Sequence, residues 1–323
     1  VARFSIDIHD LTNPIAFANG TINKTTYPLV QGIGVEWYHD FTCVYTNAFV
    51  NFTYSGANDT RKNFNFTDIS GVYTECDTNG PNISSGSLVD VVGNTFLNNY
   101  QQGGSFSNSP QINIIGNYAT ITSAQHGSYS GMFANNCKRM ELSYNAVYNP
   151  FVSGGGTLVF SECDGTIQDT TKVFNNFVYA GTSNNLSSIF GGSYSDYTHV
   201  SNNTSRSHQG RATGYSWCSN FRIDNNIFQC IGSGVAIELL NMQGTNYKSD
   251  NNCLYAPNGS IGEFNNTIYN TMAQWQALGF DTASLNENPL FDDLTFHPYA
   301  VLLDEQAIPY WHITDDHEGD GRH

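Results

Sequence analysis

This sequence is poor in charge, and above all in positive charge. Only 12% of its residues are charged, and 12 Lys and Arg stand against 28 Asp and Glu, for a net charge of −16. Binding to the phosphates of a nucleic acid needs clustered cations, and so does binding to an anionic membrane surface. The composition therefore argues against both kinds of partner.

The sequence also lacks the local patterns of several other classes. It has no run of about 20 apolar residues, the length that a helix needs to cross a bilayer. Its seven cysteines are scattered, without the CxxC or Cys/His spacing of a zinc site. It has no P-loop, no dinucleotide-binding fingerprint and no Gly-x-Ser-x-Gly nucleophile elbow. We therefore expect no membrane insertion, no structural zinc and none of these chemistries.

What the sequence does contain is an eight-residue phrase that occurs seven times between residues 89 and 254. Its first and third places are mostly apolar, its second place is polar, and its sixth place is Asn. Alternation with period two predicts a strand with one buried face. The sixth-place residues, called here the ladder asparagines, are Asn94, Asn117, Asn145, Asn176, Asn203, Asn226 and Asn252. They recur every 23 to 31 residues, which indicates stacked repeats.

Each ladder asparagine follows a strand, where the chain must turn a corner. Asn tolerates the left-handed conformation that a sharp corner needs, and identical amides about 4.8 Å apart can hydrogen-bond along a stack. A second strand pattern precedes the phrase in several repeats, at 130–135, 156–162, 187–193 and 233–240. Each repeat thus holds about three short strands. The prediction is an all-β parallel β-helix of about nine or ten coils.

With these repeats the chain resembles the right-handed parallel β-helix superfamily, which includes pectate-lyase-like and carbohydrate-binding β-helix repeat proteins. The resemblance is clear over residues 85–260 and implies a right-handed solenoid. It leaves the activity open, because the superfamily contains lyases, hydrolases, phage tailspikes and purely structural surface proteins.

The expected domain organisation is a parallel β-helix over residues 1–260 and a closing segment over 261–323 that packs on it. The segment 1–35 is predicted to be a cap or an irregular first coil, and 41–49 is interpreted as one more copy of the phrase. A short helix is predicted near 271–279, with Asn270 or Thr271 as its cap and Gly279 as its stop.

The closing tract Trp275–Phe291 resembles the segment that ends many β-helix repeat domains, and 314–323 resembles the ending of large extracellular proteins. The resemblance implies one module of a longer polypeptide, with adjacent modules as neighbours. It also implies an extracellular or cell-surface location, with a virion surface as a variant.

The cysteines leave two alternatives open. Cys137 and Cys163, and likewise Cys230 and Cys253, lie about one coil apart, so cross-coil disulfides are one interpretation. Buried free thiols are the simpler one.

The acidic alternation Asp316, Glu318 and Asp320 resembles the first half of a calcium loop. The bidentate Glu that completes such a loop is absent, so a structural tie between Asp316 and Arg322 is the simpler interpretation. Calcium is the one cofactor left open, and we expect no other.

A basic cluster of Arg206, His208 and Arg211 follows the fifth ladder asparagine. β-Elimination of a uronic acid needs a cation near the carboxylate and a base for the C5 proton, so these residues are candidates for a lyase site. The simpler interpretation is a polar surface loop.

Glycoside hydrolysis needs two carboxylates about 5–10 Å apart. Glu162 and Asp164 are close in sequence and form a candidate pair. Glu162 and Glu238 share a register but lie three coils apart, roughly 14 Å at 4.8 Å per coil, which is too far.

Aromatic residues on or beside the coils point to sugars instead. Tyr194, Tyr197 and Trp217 are the candidates, because exposed rings stack on the apolar faces of sugars. The leading functional prediction is a non-catalytic spacer or adhesive module that binds a glycan surface. The alternative is a polysaccharide lyase or glycoside hydrolase, including a tailspike-type depolymerase.

Overall fold

The structure is a computed structural model of the chain. It describes residues 91–97, 104–120, 131–150, 157–181, 188–244, 246–291, 298–303, 306–308, 310 and 313, together with the backbone of the six strands that begin before residue 91. The fold is all-β, and most of its strands lie in parallel sheets that stack into a solenoid, as predicted.

Each coil contributes one strand to each of three sheets, called A, B and C in chain order. Sheet A contains Asn82–Ser84, Gly104–Ser107, Met132–Asn135, Leu158–Ser161, Ser188–Ser193, Arg211–Ser216, Val235–Leu240 and Ser260–Phe264, with Thr267–Tyr269 antiparallel at its end. Sheet B contains Gly86–Val92, Ile112–Ile115, Met140–Ser143, Thr171–Phe174, Asp196–Ser201, Ser219–Asp224 and Lys248–Asp250. Sheet C contains Thr95–Leu97, Tyr118–Thr120, Ala146–Asn149, Phe177–Ala180, Thr204–Ser207, Ile227–Cys230 and Cys253–Tyr255.

The register of sheet B follows the repeated phrase place by place. Ile112 pairs with Met140 and Ile114 with Leu142, and all four side chains are buried. The polar second places pair with one another in consecutive coils, starting with Asp90 and Asn113. From Asn113 onward they form one outward row, Asn113, Glu141, Lys172, His199, Arg222 and Lys248. The strand prediction and its buried face are therefore confirmed.

The core lies between the three sheets and is filled by large apolar side chains. Phe96, Phe106, Phe160, Phe190 and Phe228 are almost completely buried. Burial of each such ring contributes about 2–3 kcal/mol relative to exposure. Because each coil contacts mainly its neighbours, the core is a continuous column that holds the coils in register.

The N-terminal part differs from the prediction. Val44–Tyr54 pairs antiparallel with Phe64–Thr74, so the segment 41–49 is not another coil. The strand Val44–Tyr54 runs for 11 residues without Gly or Pro, which is too long for one side of a coil. Phe64–Thr74 also pairs in parallel with sheets B and C and joins them.

This pairing shortens the solenoid relative to the predicted nine or ten coils. In the described part of the chain, seven coils have a strand in all three sheets. Ala2–Ser5 and Glu36–His39 form a separate antiparallel pair, and the rest of the predicted cap 1–35 lies outside the described residues. The hand of the winding stays a prediction.

The short helix is confirmed as Met272–Gln276. Thr271 is its N-cap and forms a capping box with Gln274, and Gly279 follows with φ +90°. A 3-10 turn occupies Val301–Leu303. Across the described ranges, no helix has the length and apolar character that crossing a bilayer requires.

Candidate functional site

The ladder asparagines form one column of hydrogen bonds at the corner between sheets B and C. The side-chain amide of Asn94 donates to Oδ1 of Asn117 at 2.8 Å, and each later member donates in the same way, ending with Asn226 to Asn252 at 3.0 Å. Each accepting Oδ1 also receives the backbone N–H of the preceding member. All seven are buried, so the column satisfies buried groups and is structural.

The column ends on a carboxylate instead of an eighth asparagine. Asn252 donates its amide to Asp281 Oδ1 at 2.8 Å and its backbone N–H to Ser284 Oγ at 2.7 Å. Trp275 Nε1 and Ser249 Oγ donate to Asp281 Oδ2. Burial raises the pKa of Asp281, while the hydrogen bonds from these neighbours oppose that effect.

The corner between sheets A and B carries a row of residues in the left-handed conformation, called here the corner row. Its members are Asn108, Asn136, Glu162, Tyr194, Trp217 and Asn241, with φ between 50° and 58°. The backbone N–H of each of the first five donates to a backbone carbonyl of the next coil, and that of Asn241 donates to the side-chain Oδ1 of Asn265. Asn is the residue that such a conformation favours, whereas a bulky aromatic residue there costs about 1 kcal/mol. The corner geometry alone therefore does not account for Tyr194 and Trp217.

Tyr194 and Trp217 stack on each other across adjacent coils. Their ring centroids are 5.9 Å apart and their planes differ by 6°, yet the residues remain 55% and 42% exposed. Their neighbours along the corner row are Glu162 and Asn241. Tyr197 lies in the sheet B strand Asp196–Ser201 that follows this corner, has φ 49° and is partly buried. The structure thus brings two of the three predicted stacking residues together and places the third in the following strand.

An insertion at residues 165–170 stands next to this corner in the preceding coil. Thr166 and Asp169 close its turn with two backbone hydrogen bonds, and Ile167 is exposed at its tip. Gly165 packs so tightly that a Cβ there would lie 2.6 Å from the carbonyl oxygen of Tyr197. The insertion is therefore fixed against the backbone of the next coil at Asp196 and Tyr197.

A chain of polar contacts supports the same corner from coil to coil. Lys138 Nζ lies 2.6 Å from Asp164 Oδ2, and the backbone N–H of Asp196 donates to Asp164 Oδ1 at 2.9 Å. The backbone N–H of Ser219 donates to Asp196 Oδ1 at 3.1 Å. Asp164, one half of the predicted carboxylate pair, is therefore engaged in these contacts, while Glu162 is exposed in the corner row.

The predicted basic cluster is spread over two sheets. Arg206 lies on sheet C with its guanidinium 5.7 Å from the ring centroid of Tyr179 and 5.4 Å from that of Phe291. Arg211 begins a strand of sheet A, and His208 is exposed in the corner between them. The two arginines are thus held by different neighbours.

Arg211 contacts a carboxylate pair that the sequence reading missed. Its Nε lies 2.9 Å from Glu238 Oε1, and its Nη2 donates to Glu263 Oε2 at 2.8 Å. Glu238 and Glu263 are paired in register in adjacent coils. The similarity of VAIEL at 235–239 to SIGEF at 260–264 was the available signal, but the second segment follows the last copy of the phrase.

A second cluster attaches the C-terminal tail to sheet B. His199 Nε2 lies 3.0 Å from Asp224 Oδ1, and Arg222 Nε also donates to this carboxylate. Tyr310 accepts from Arg222 Nη2 at 2.6 Å and packs edge-on against His199. Burial alone would raise the pKa of Asp224, but the hydrogen bond and charge of His199, with Tyr310 and Arg222, hold it below its usual range.

The cysteines of the described residues are free and buried, as the simpler interpretation held. They are Cys137, Cys163, Cys218, Cys230 and Cys253, whereas Cys43 and Cys76 lie outside the described side chains. Cys253 pairs in register with Ile227, which offsets it from Cys230 and argues against a disulfide between them.

Two further features bear on ligands. Within the described ranges no group of three His, Cys, Asp or Glu side chains could hold a metal ion, and the calcium candidates Asp316, Glu318 and Asp320 lie outside those ranges. A half-open cavity of about 580 Å³ lies between the last coils and the C-terminal segment, with Asn225, Asn251 and Tyr299 in its lining.

Comparison of the chain with protein-family models, with curated proteins and with solved structures gave no match. The β-solenoid is confirmed, and the resemblance to the pectate-lyase-like superfamily stays a prediction.

Proposed function

We propose that this chain is a non-catalytic β-helix module that binds a glycan at the corner between sheets A and B. The observation that carries the proposal is the exposed stack of Tyr194 and Trp217 on left-handed backbone. Aromatic rings offer a large apolar surface to the C–H faces of sugars, and the Tyr O–H and Trp N–H can hydrogen-bond to sugar hydroxyls. An exposed pair at a conformationally costly position is well explained by such contacts.

The solenoid supports this role because it presents the rings on a rigid frame. Backbone hydrogen bonds from Tyr194 to Ser216 and from Trp217 to Leu240, at 2.9 and 3.0 Å, fix both residues to the next coil. Little conformational freedom is left to lose on binding, which favours affinity. A long, regular stack also suits a spacer or adhesive element of an extracellular surface, and this location is part of the proposal.

The proposal is tested with the variants Tyr194→Asn and Trp217→Asn. Asn is the residue that the corner row itself uses at Asn136 and Asn241, so these changes remove the rings without straining the backbone. Calorimetric titration with a panel of linear oligosaccharides should identify a ligand for the wild type. We expect each variant to weaken it about fivefold and the double variant about thirtyfold, from about 1 kcal/mol per stacking ring.

Tyr118→Ala is the matched control, because Tyr118 is an exposed tyrosine on sheet C, away from this corner. It should leave the affinity unchanged. Equal affinity of the double variant and the wild type, or no glycan binding by the wild type, would contradict the proposal.

A polysaccharide lyase or glycoside hydrolase is the second candidate, favoured by Glu238 and Glu263 beside Arg211 in adjacent coils. Incubation with uronate polymers and with neutral glycans separates it from the binding module. Release of unsaturated uronate or reducing ends that Glu263→Gln or His208→Ala abolishes would establish the enzyme.

A further inference from the structure

The charges around the Tyr194–Trp217 stack define the class of glycan. We propose that the ligand is an uncharged linear glycan that lies along the axis of the solenoid; this inference rests on the proposed function. A site that recognises uronic acids or sulfated sugars would instead need cations beside the Tyr194–Trp217 stack, because these sugars carry negative groups.

The acidic side of the site is the coil before the stack. Glu162 precedes Tyr194 in the corner row and is exposed, and Asp164 and Asp196 lie in the polar chain of the same corner. The cation Lys138 lies 2.6 Å from Asp164 and partly offsets it. Exposed Asp169 adds a further negative charge on the adjacent insertion.

Exposed Arg139 is the other cation of this corner, but it lies two coils before Tyr194. Together these six side chains carry four negative and two positive charges, on a protein whose net charge is −16.

The other side of the stack is polar but uncharged. Asn241 follows Trp217 in the corner row, and its backbone N–H donates to Asn265 Oδ1 at 2.7 Å. Gln243 is exposed and donates its side-chain amide to the carbonyl of Asn241, while Asn220 lies on the same corner. Carboxamides both donate and accept, which matches sugar hydroxyls and does not favour a carboxylate or sulfate.

The direction of the ligand follows from the spacing of the corner row. Glu162, Tyr194, Trp217 and Asn241 come from four consecutive coils, and each coil advances about 4.8 Å along the axis. This step is close to the length of one pyranose residue in an extended chain. A linear glycan laid along the row therefore meets one side chain of the row for every sugar.

A negatively charged sugar at this place would meet like charges. Two like charges 4 Å apart repel by about 1 kcal/mol in water, which corresponds to roughly fivefold in affinity for each such contact. With exposed Glu162 in the row and Asp196 in the following coil, and with Asp164 offset by Lys138, we expect acidic glycans to bind about tenfold more weakly than uncharged ones.

The test compares two panels of linear oligosaccharides by calorimetry at low and high salt. Uncharged ligands are gluco-, manno-, xylo- and N-acetylglucosamine oligomers, and acidic ligands are oligogalacturonate and heparin fragments. We expect binding of the uncharged panel alone, with an affinity that salt does not change and that rises with chain length up to about four sugars, one for each coil of the row.

The variant Glu162→Lys turns this into a gain-of-function experiment. It should raise the affinity for acidic oligomers about tenfold and leave that for uncharged ones within about twofold, and Glu162→Gln should give a smaller gain. Glu141→Lys, in the outward row of sheet B, changes the net charge equally and serves as the control. It should have no effect.

The outcomes separate the two proposals. An acidic oligomer that binds as tightly as the best uncharged one, through Tyr194 and Trp217, would overturn the uncharged class and leave glycan binding in place. The same holds if Glu141→Lys matches Glu162→Lys, since net charge would then set the preference. A wild type that binds neither panel would contradict the proposed function itself.

Discussion

The amide of Asn252 donates to the buried carboxylate of Asp281 at 2.8 Å, and this contact ends the asparagine ladder. Just beyond it, Leu285 pairs in parallel with Cys253, so residues 281–285 form part of an eighth coil. A solenoid needs such an end because its last coil would otherwise expose unpaired backbone groups. Asp281 ends the ladder because its carboxylate has two acceptor oxygens and no donor that would need a further partner.

The first prediction concerns Asp281→Asn. The carboxylate accepts from Asn252 and Ser284 at one oxygen and from Trp275 and Ser249 at the other. An amide keeps only one of these oxygens, so donors are left facing its NH2 group. We expect a loss of about 1–3 kcal/mol in the free energy of unfolding. Urea unfolding measures it, with exposed Asp169→Asn as the control; equal stability of the two would contradict this role.

Asn145→Ala tests the interior of the ladder. The change removes the donations from Asn145 to Asn176 and Ile114 and the acceptor that serves Asn117. Buried donors left without acceptors cost about 1–3 kcal/mol, so the midpoint in urea should fall clearly. Asn108→Ala, in the corner row, should cost less than half as much.

The loss of stability at acidic pH depends in part on Asp224. Its pKa is lowered in the folded protein, so its ionised form stabilises the fold above the unfolded value of about 3.9, and this stabilisation disappears as the pH falls through the folded pKa. Asp224→Asn should therefore lower the melting temperature at pH 7, and its difference from the wild type should disappear as the pH falls below the unfolded value and through the folded pKa. A constant difference from pH 7 to pH 2 would contradict the assignment.

Asp281 affects the pH dependence of stability in the opposite direction. Its folded pKa is raised by burial, so any stability linked to its protonation is present below the unfolded pKa and declines as the pH rises through the folded value. In an Asp224→Asn background, acidification should therefore increase the melting temperature before other carboxylates protonate. Thermal melts of that variant from pH 7 to pH 3 measure this effect.

Thiol alkylation tests the environments of the buried cysteines. The hydrogen bond from Cys163 lowers the pKa of Cys137, whereas burial raises that of Cys218 and Cys253 to about 12. Iodoacetamide attacks the thiolate, so peptide mapping of partly labelled native protein should find Cys137 modified before Cys218 and Cys253. Equal rates for the three would contradict this order of thiol pKa values.

The sequence predicts the parts of this molecule that repeat. Period-two alternation identifies the strands of sheet B, and the recurring Asn identifies their shared corner, because both properties are local and are copied from coil to coil. The helix cap at Thr271 is equally local. The contacts of Phe291 with Arg206 and of Tyr310 with Arg222 join residues 85 or more positions apart that belong to no repeat, so no period reveals them.

The same distinction applies to the candidate site. Tyr194 and Trp217 can be selected as stacking candidates from composition and position, but their mutual stacking depends on a register that only the folded coils define. The Asn pattern does not reveal Asp281 as the end of the ladder, because Asp281 breaks that pattern. The prediction of a coil at 41–49 is wrong because the segment resembles the phrase but belongs to a strand whose length suits antiparallel pairing.

The most direct test of glycan binding is an NMR measurement of contacts between a bound oligosaccharide and the rings of Tyr194 and Trp217, labelled selectively in an otherwise deuterated protein. We expect nuclear Overhauser effects from sugar C–H protons to both rings, and we expect them to be lost in the Tyr194→Asn, Trp217→Asn double variant. A bound oligosaccharide that shows such effects only to residues elsewhere, or retains its affinity in the double variant, would contradict it.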